Sequence, residues 1–183
     1  MSQPAIFFDK DGTLVDNVPY NVDVARLSFA RDAGAAIARL AGTNGYQFFV
    51  VSNQPGIGLG LFEAQALHGI ANALADFFVE HGARLADFYY CPHAPELSCD
   101  CRKPLPGMLR RAATEHQIDL ARSWMIGDIL DDIEAGNRAG CKTILLDVGN
   151  ETEWLAGAAR EPDLRTASLL AAAEHILQSA QHG

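Results

Sequence analysis

Residues 5–14 read AIFFDKDGTL. Four apolar residues, two of them aromatic, are followed without transition by Asp9-Lys10-Asp11-Gly12-Thr13. A run this short and this apolar is a strand buried on both faces, and the abrupt change to charged and turn-forming residues marks its end. The same pattern recurs along the chain. QFFVV precedes Ser52, DFYY precedes Cys91, WMI precedes Gly127 and KTILL precedes Asp147. Between these runs lie stretches with helical spacing. The clearest is Glu63 to His81, where Leu67, Ile70, Leu74, Phe77 and Phe78 recur three and four apart. Further helices are expected over Asp32 to Leu40, Pro106 to His116, Asp131 to Ala139 and Ser168 to Ala180, with Gly45, Gly82 and Gly140 as stop signals.

Strand and helix therefore alternate, which predicts an α/β fold: a Rossmann-like parallel sheet with helices on both faces. No repeat or linker interrupts it, so residues 1–183 are expected to form a single domain. In such sheets ligands sit at the carboxyl ends of the strands. The residues found there suit phosphate chemistry. Asp9, Asp11 and Thr13 follow the first run, Ser52 and Asn53 the second, and Asp128, Asp131 and Asp132 follow WMI-Gly127. Carboxylates brought this close repel one another and call for a hard cation, for which Mg²⁺ with oxygen ligands is the natural choice. One carboxylate can attack phosphorus to give an acyl phosphate. A second, two residues along an extended strand, points the same way and can protonate the leaving alkoxide, then deprotonate water. Gly12 permits a tight turn with backbone N–H groups open to a phosphate.

Four segments, in order and each after an apolar strand, resemble the motifs of the haloacid-dehalogenase (HAD) type phosphatases: DKDGTL at 9–14, VVSNQ at 50–54, the lysine of CRKP at 101–104, and GDILDD at 127–132. The resemblance implies Asp9 as nucleophile and Asp11 as general acid and base. It implies Ser52 and Lys103 as phosphoryl ligands, and Asp9, Asp128 and the Asp11 carbonyl as Mg²⁺ ligands. Asn53 either adds a hydrogen bond to the phosphate or braces its loop. Of the two aspartates at the next helix start, Asp132 is chosen on family spacing to support the metal shell or orient Lys103. The stretches from Asp9 to Ser52 and from Ser52 to Lys103 are used up by single helices, strands and loops, so a capless, open site is expected.

The loop CPHAPELSCDCRKP, 91–104, carries Cys91, His93, Cys99 and Cys101. Three thiolates and an imidazole make a closed tetrahedral Zn²⁺ set with no position left for substrate, hence a structural site. Such a staple would aim Lys103 and a substrate-binding Arg102. This loop resembles that of the branch containing the heptose-bisphosphate and histidinol-phosphate phosphatases. CRKPLPGM points to the heptose enzymes, whereas the short CPHxPxxxCxC spacing resembles the histidinol-phosphate enzymes as much. Ile129 stands where the heptose enzymes usually carry a lysine. Electrostatics favours the sugar bisphosphate, because Arg102 can form a fork with an anion while histidinol phosphate carries an ammonium. The expectation is hydrolysis of a small phosphorylated metabolite, a heptose 1,7-bisphosphate at its 7-phosphate. The alternatives are histidinol phosphate or another sugar phosphate, with a noncatalytic phosphate-binding protein set aside because no motif is broken.

Composition limits the partners. The 183 residues carry a formal charge of −9 and a pI near 5.0. That argues against a nucleic-acid surface, including the 3′-phosphatases of DNA ends, and against an anionic membrane. No run approaches the length of a membrane span, and the N-terminus lacks a leader pattern, so a cytoplasmic monomer is expected. Cys141 reads as a core thiol, and His68, His81 and His116 as surface or packing residues on helices.

Overall fold

The computed structural model describes residues 2–43 and 45–181. Its strands are β1 (Ala5–Phe8), β2 (Gln47–Asn53), β3 (Leu85–Cys91), β4 (Trp124–Gly127), β5 (Lys142–Leu146) and β6 (Leu164–Thr166). All pairings are parallel, in the order β3-β2-β1-β4-β5-β6. The decisive run is thus a central strand, hydrogen-bonded on both edges, and its four residues are fully buried.

Alternation along the strands divides the core in two. Ile6, Phe8, Phe48, Val50 and Ile126 face one side and pack against α1 (Ala33–Ala41), α2 (Leu67–Glu80) and α5 (Leu169–Gln181). Ala5, Phe7, Phe49, Val51 and Met125 face the other, against α3 (Gly107–His116) and α4 (Leu130–Ala139). Phe7 stacks on Phe49 with ring centroids 5.4 Å apart, and Phe8 meets Phe78 edge-on at 6.0 Å. Both faces are covered, which is why these strands are continuous apolar runs.

The five expected strands and five expected helices are present. Glycines with positive φ follow α2 (Gly82, +76°) and cap α4 (Gly140, +92°), a backbone region that costs glycine nothing. Gly45 does not end α1. The helix stops earlier, at Gly42, whose N–H returns to Ala38 and Leu40 carbonyls. The helix expected from Glu63 begins at Leu67, because Glu63 is extended and residues 64–66 form a 3-10 turn. β6 was not expected. It is three residues long at the sheet edge, and LRT carries no apolar run to announce it. Among the described residues, one α-helix lies between β1 and β2 and one between β2 and β3. The segment 9–32 is a loop with a single 3-10 turn, so the rim stays open.

Candidate active site

The carboxyl ends of β1, β2 and β4 bring the charged residues to one cleft of about 280 Å³. The Asp9 N–H donates to the Ile126 carbonyl at 2.9 Å, which extends the β1–β4 ladder by one residue and aims the side chain over the sheet end. The chain then folds into a compact turn in which Leu14 and Val15 N–H groups both donate to the Lys10 carbonyl at 3.1 Å. Gly12 closes the turn with φ +88°. A Cβ there would lie 2.1 Å from Asp128 Oδ2, so only glycine lets the β4 aspartate come this near. Gly127 plays the same part for Asp132, whose Cβ would lie 2.2 Å from an added methyl.

Lys103 occupies the centre. It is 3% exposed, and its Nζ reaches Asp9 Oδ1 at 2.5 Å, the Val51 carbonyl at 3.0 Å and Asp132 Oδ1 at 2.6 Å. The contact with Asp132 is an ion pair without hydrogen-bond alignment. Burial works to lower the lysine pKa, but the charges of Asp132 and Asp9 outweigh it and hold the ammonium above its usual range. Asp132 also accepts from the Ile129 N–H at 3.3 Å. Both its oxygens thus serve protein groups, which fits the expectation that it orients Lys103. Asp131, by contrast, leaves the site and pairs with Arg160 at 2.6 Å.

Three carboxylates, Asp9, Asp128 and Asp132, have oxygens within 4.8 Å of one another, opposed by a single ammonium. Burial first, then the charges of Asp9 and Asp132, push the Asp128 pKa up to about 8. Burial likewise raises Asp132, to about 6, against the pull of Lys103. An excess of buried negative charge made only of oxygen donors suits a hard divalent cation, so the donor set fits Mg²⁺. Thr13 Oγ1 donates to Asp128 Oδ1 at 3.4 Å and Asn150 Nδ2 to Asp128 Oδ2 at 2.7 Å. Glu151 Oε2 accepts from the Leu130 N–H at 2.7 Å and caps α4.

Ser52 is buried beside this group, and Asn53 has a defined task. Its Nδ2 donates to the Lys103 carbonyl at 3.1 Å and its Oδ1 accepts from the Lys103 N–H at 3.0 Å. Of the two roles open to Asn53, the structure shows it bracing the loop. Asp11 is partly exposed, and its Oδ1 pairs with Lys10, which is itself 1% exposed. Burial raises the Asp11 pKa, with Lys10 opposing and Asp9 assisting.

The four residues of the cysteine loop converge. His93 Nδ1 lies 3.4 Å from Cys91 Sγ and 3.2 Å from Cys101 Sγ, and Cys99 Sγ is 3.8 Å from Cys91 Sγ. Ligands about 2.3 Å from a tetrahedral centre stand about this far apart, so the set fits Zn²⁺. Arg102 is half-buried with its Nη1 3.5 Å from the His93 carbonyl, and it is not among the cleft-lining residues. Ile129 is, together with the turn from Asn17 to Asn21. Cys141 sits in the core, where burial pushes its thiol up to about 12. His116 packs edge-on to Phe49, His81 lies against Phe77, and His68 is exposed. Lys10, Asn150 and Glu151 were not singled out as site residues. Lys10 had a signal in its place between two functional aspartates, whereas Asn150 and Glu151 belong to an irregular loop that no motif marks.

Comparison with known proteins places this geometry. A family model described as HAD-hydrolase-like matches residues 100–173. A D-glycero-beta-D-manno-heptose-1,7-bisphosphate 7-phosphatase of Pseudomonas aeruginosa is 32% identical over 179 residues, covering 97% of this chain and 100% of that protein. This chain belongs to the HAD-like hydrolases. Among solved HAD structures, the D,D-heptose 1,7-bisphosphate phosphatase from B. bronchiseptica, complexed with magnesium and phosphate, matches with a TM-score of 0.86 and 32% identity. That match covers 97% of this chain and 99% of that one. A histidine biosynthesis bifunctional protein of Actinobacillus pleuropneumoniae is 33% identical over 147 residues, 79% of this chain and 40% of that protein.

Proposed function

We propose that this HAD hydrolase is a Mg²⁺-dependent phosphomonoesterase that removes the 7-phosphate of a D-glycero-D-manno-heptose 1,7-bisphosphate. The chemistry rests on one observation above all, the Lys103 ammonium suspended between Asp9 and Asp132 opposite Asp128. The substrate is supported by relatives of that name that match the chain from end to end.

Asp9 attacks phosphorus while Lys103 and the Ser52 hydroxyl hold equatorial oxygens, so negative charge moves toward fixed donors as the P–O bond breaks. Asp11 gives its proton to the departing sugar oxygen, then removes one from the water that cleaves the aspartyl phosphate. Asp9, Asp128 and the Asp11 carbonyl would hold Mg²⁺, which would supply charge neutralisation of nucleophile and phosphate. Asn53 keeps Lys103 in register from behind. Cys91, His93, Cys99 and Cys101 would hold Zn²⁺, which would fix the loop that ends in Arg102 and Lys103, and Arg102, beside the cleft and outside its wall, would be the nearby cation for the second phosphate. The whole chain works as one capless catalytic unit, a monomer acting in the cytoplasm.

Histidinol phosphate is the second reading, favoured by the short zinc loop and the histidine-biosynthesis relative. Steady-state phosphate release from heptose 1,7-bisphosphate, both anomers, beside histidinol phosphate separates the two. A kcat/KM higher for the heptose by about a hundredfold, close to 3 kcal/mol in transition-state binding, is expected. A reversed preference would transfer the assignment to histidinol phosphate. Asp9→Asn is expected to abolish turnover of either.

A further inference from the structure

Gln54 follows the Ser52-Asn53 pair and is 4% exposed, yet it lines the cleft. Its backbone N–H is fixed to the Cys91 carbonyl at the end of β3, at 2.8 Å. Its side-chain Nε2 lies 2.8 Å from Ser52 Oγ and 3.2 Å from Asp11 Oδ2. An ionised carboxylate oxygen only accepts, so toward ionised Asp11 the amide presents its nitrogen, and the two hydrogens of that nitrogen account for both contacts. The other Asp11 oxygen is taken by Lys10. Asp11 is thereby gripped at both oxygens. Ser52 Oγ, having accepted from Gln54, keeps its own hydrogen free for an outside acceptor.

We propose that Gln54 is a positioning residue that sets Asp11 in reach of the leaving oxygen and turns the Ser52 hydroxyl toward the phosphoryl group. The inference rests on the reading of Asp11 as the acid that protonates the departing alkoxide. Gln54 touches no reacting atom, and its effect passes through Asp11 and Ser52. An amide with two donors on one nitrogen, buried where two acceptors converge, does what neither an apolar side chain nor a carboxylate of the same shape could do. Leucine would leave both acceptors unpaired. Glutamate would set a third acceptor against them.

The test uses the dependence on leaving group. A sugar alkoxide needs protonation as it departs, whereas 4-nitrophenolate needs almost none, and kcat/KM reports the first phosphoryl transfer. In Gln54→Leu, kcat/KM for heptose 1,7-bisphosphate should fall by about 10²-fold, within the range that general-acid catalysis contributes, and for 4-nitrophenyl phosphate by less than about 10-fold. Gln54→Glu should show the same split, and Asp11→Asn a larger one. Partial unfolding cannot imitate it, since a lost fraction of folded enzyme lowers both substrates alike. Equal losses on both esters would overturn the setting of Asp11 and leave only the Ser52 contact, and no loss on either would overturn both parts of the role, in each case leaving the phosphatase reading intact. A wild-type protein inactive on both esters with Mg²⁺ would overturn the phosphatase reading and this inference with it.

Discussion

Lys103 owes its charge to Asp9 and Asp132, and those carboxylates share one ammonium between them. Replacing Asp132 with Asn keeps the shape but removes one of the two charges that hold the lysine ionised and aimed. Asp132→Asn should lower kcat by about 10–100-fold, as loss of a group that orients a functional side chain does. Asp128 predicts a pH effect. Its carboxyl is raised from 3.8 to about 8, so the folded, metal-free protein holds a proton there that the unfolded chain releases. Between those values stability should fall as pH rises, since the native state binds more protons than the unfolded one. Mg²⁺ bound at Asp128 would take the place of that proton. Its stabilisation in thermal melts should therefore be larger at pH 8 than at pH 5, and equal shifts at both would contradict the assignment of Asp128 to the cation. Asp9, Asp11 and Asp128 were legible because each stands at or just beyond a strand end beside a chemically telling neighbour, and Lys103 because it follows the cysteine loop. Asn150 was not. It reaches Asp128 from a loop beyond β5, and nothing local distinguishes it from any surface asparagine.

Beyond Cys91 the cysteine loop has neither helix nor strand, and four side chains, Cys91, His93, Cys99 and Cys101, converge in it. Metal analysis should find about one Zn²⁺ per chain, and Cys99→Ser should lower that content and the melting temperature together, given that structural zinc can contribute about 10–16 kcal/mol in small domains. Added Mg²⁺ should not restore either. Strands and helices were readable where burial imposes periodicity, as in β1 and α2. The edge strand β6 escaped because pairing by Leu164–Thr166 asks nothing of their side chains beyond extension. α2 was read too long at its start for a related reason. Its apolar spacing persists through the 3-10 turn at 64–66, where the backbone hydrogen bonding differs and the side-chain rhythm does not.

At the level of the molecule, a sheet sealed by helices on both faces leaves its carboxyl rim as the place where charged side chains can gather. Phe7 is fully buried beneath that rim and stacked on Phe49. Phe7→Ala should cost about 3–5 kcal/mol in urea unfolding while kcat, measured where the protein remains folded, changes little. A large kcat loss would mean that the rim is not rigid with respect to the core beneath it. The open character of the site was legible from chain length between motifs. The cleft wall was not, because the turn from Asn17 to Asn21, with Tyr20 51% exposed and at φ +55°, has neither an apolar period nor a motif.

The Asn53 clamp bears on how such a protein can change over time. One amide grips the Lys103 backbone by donor and acceptor across a separation of 50 positions, so Lys103 is registered against β2 and not only through the segment that leads to it. The five residues between His93 and Cys99 can then be lengthened or shortened without relocating the lysine. The position of the lysine is thereby uncoupled from the length of the loop that precedes it.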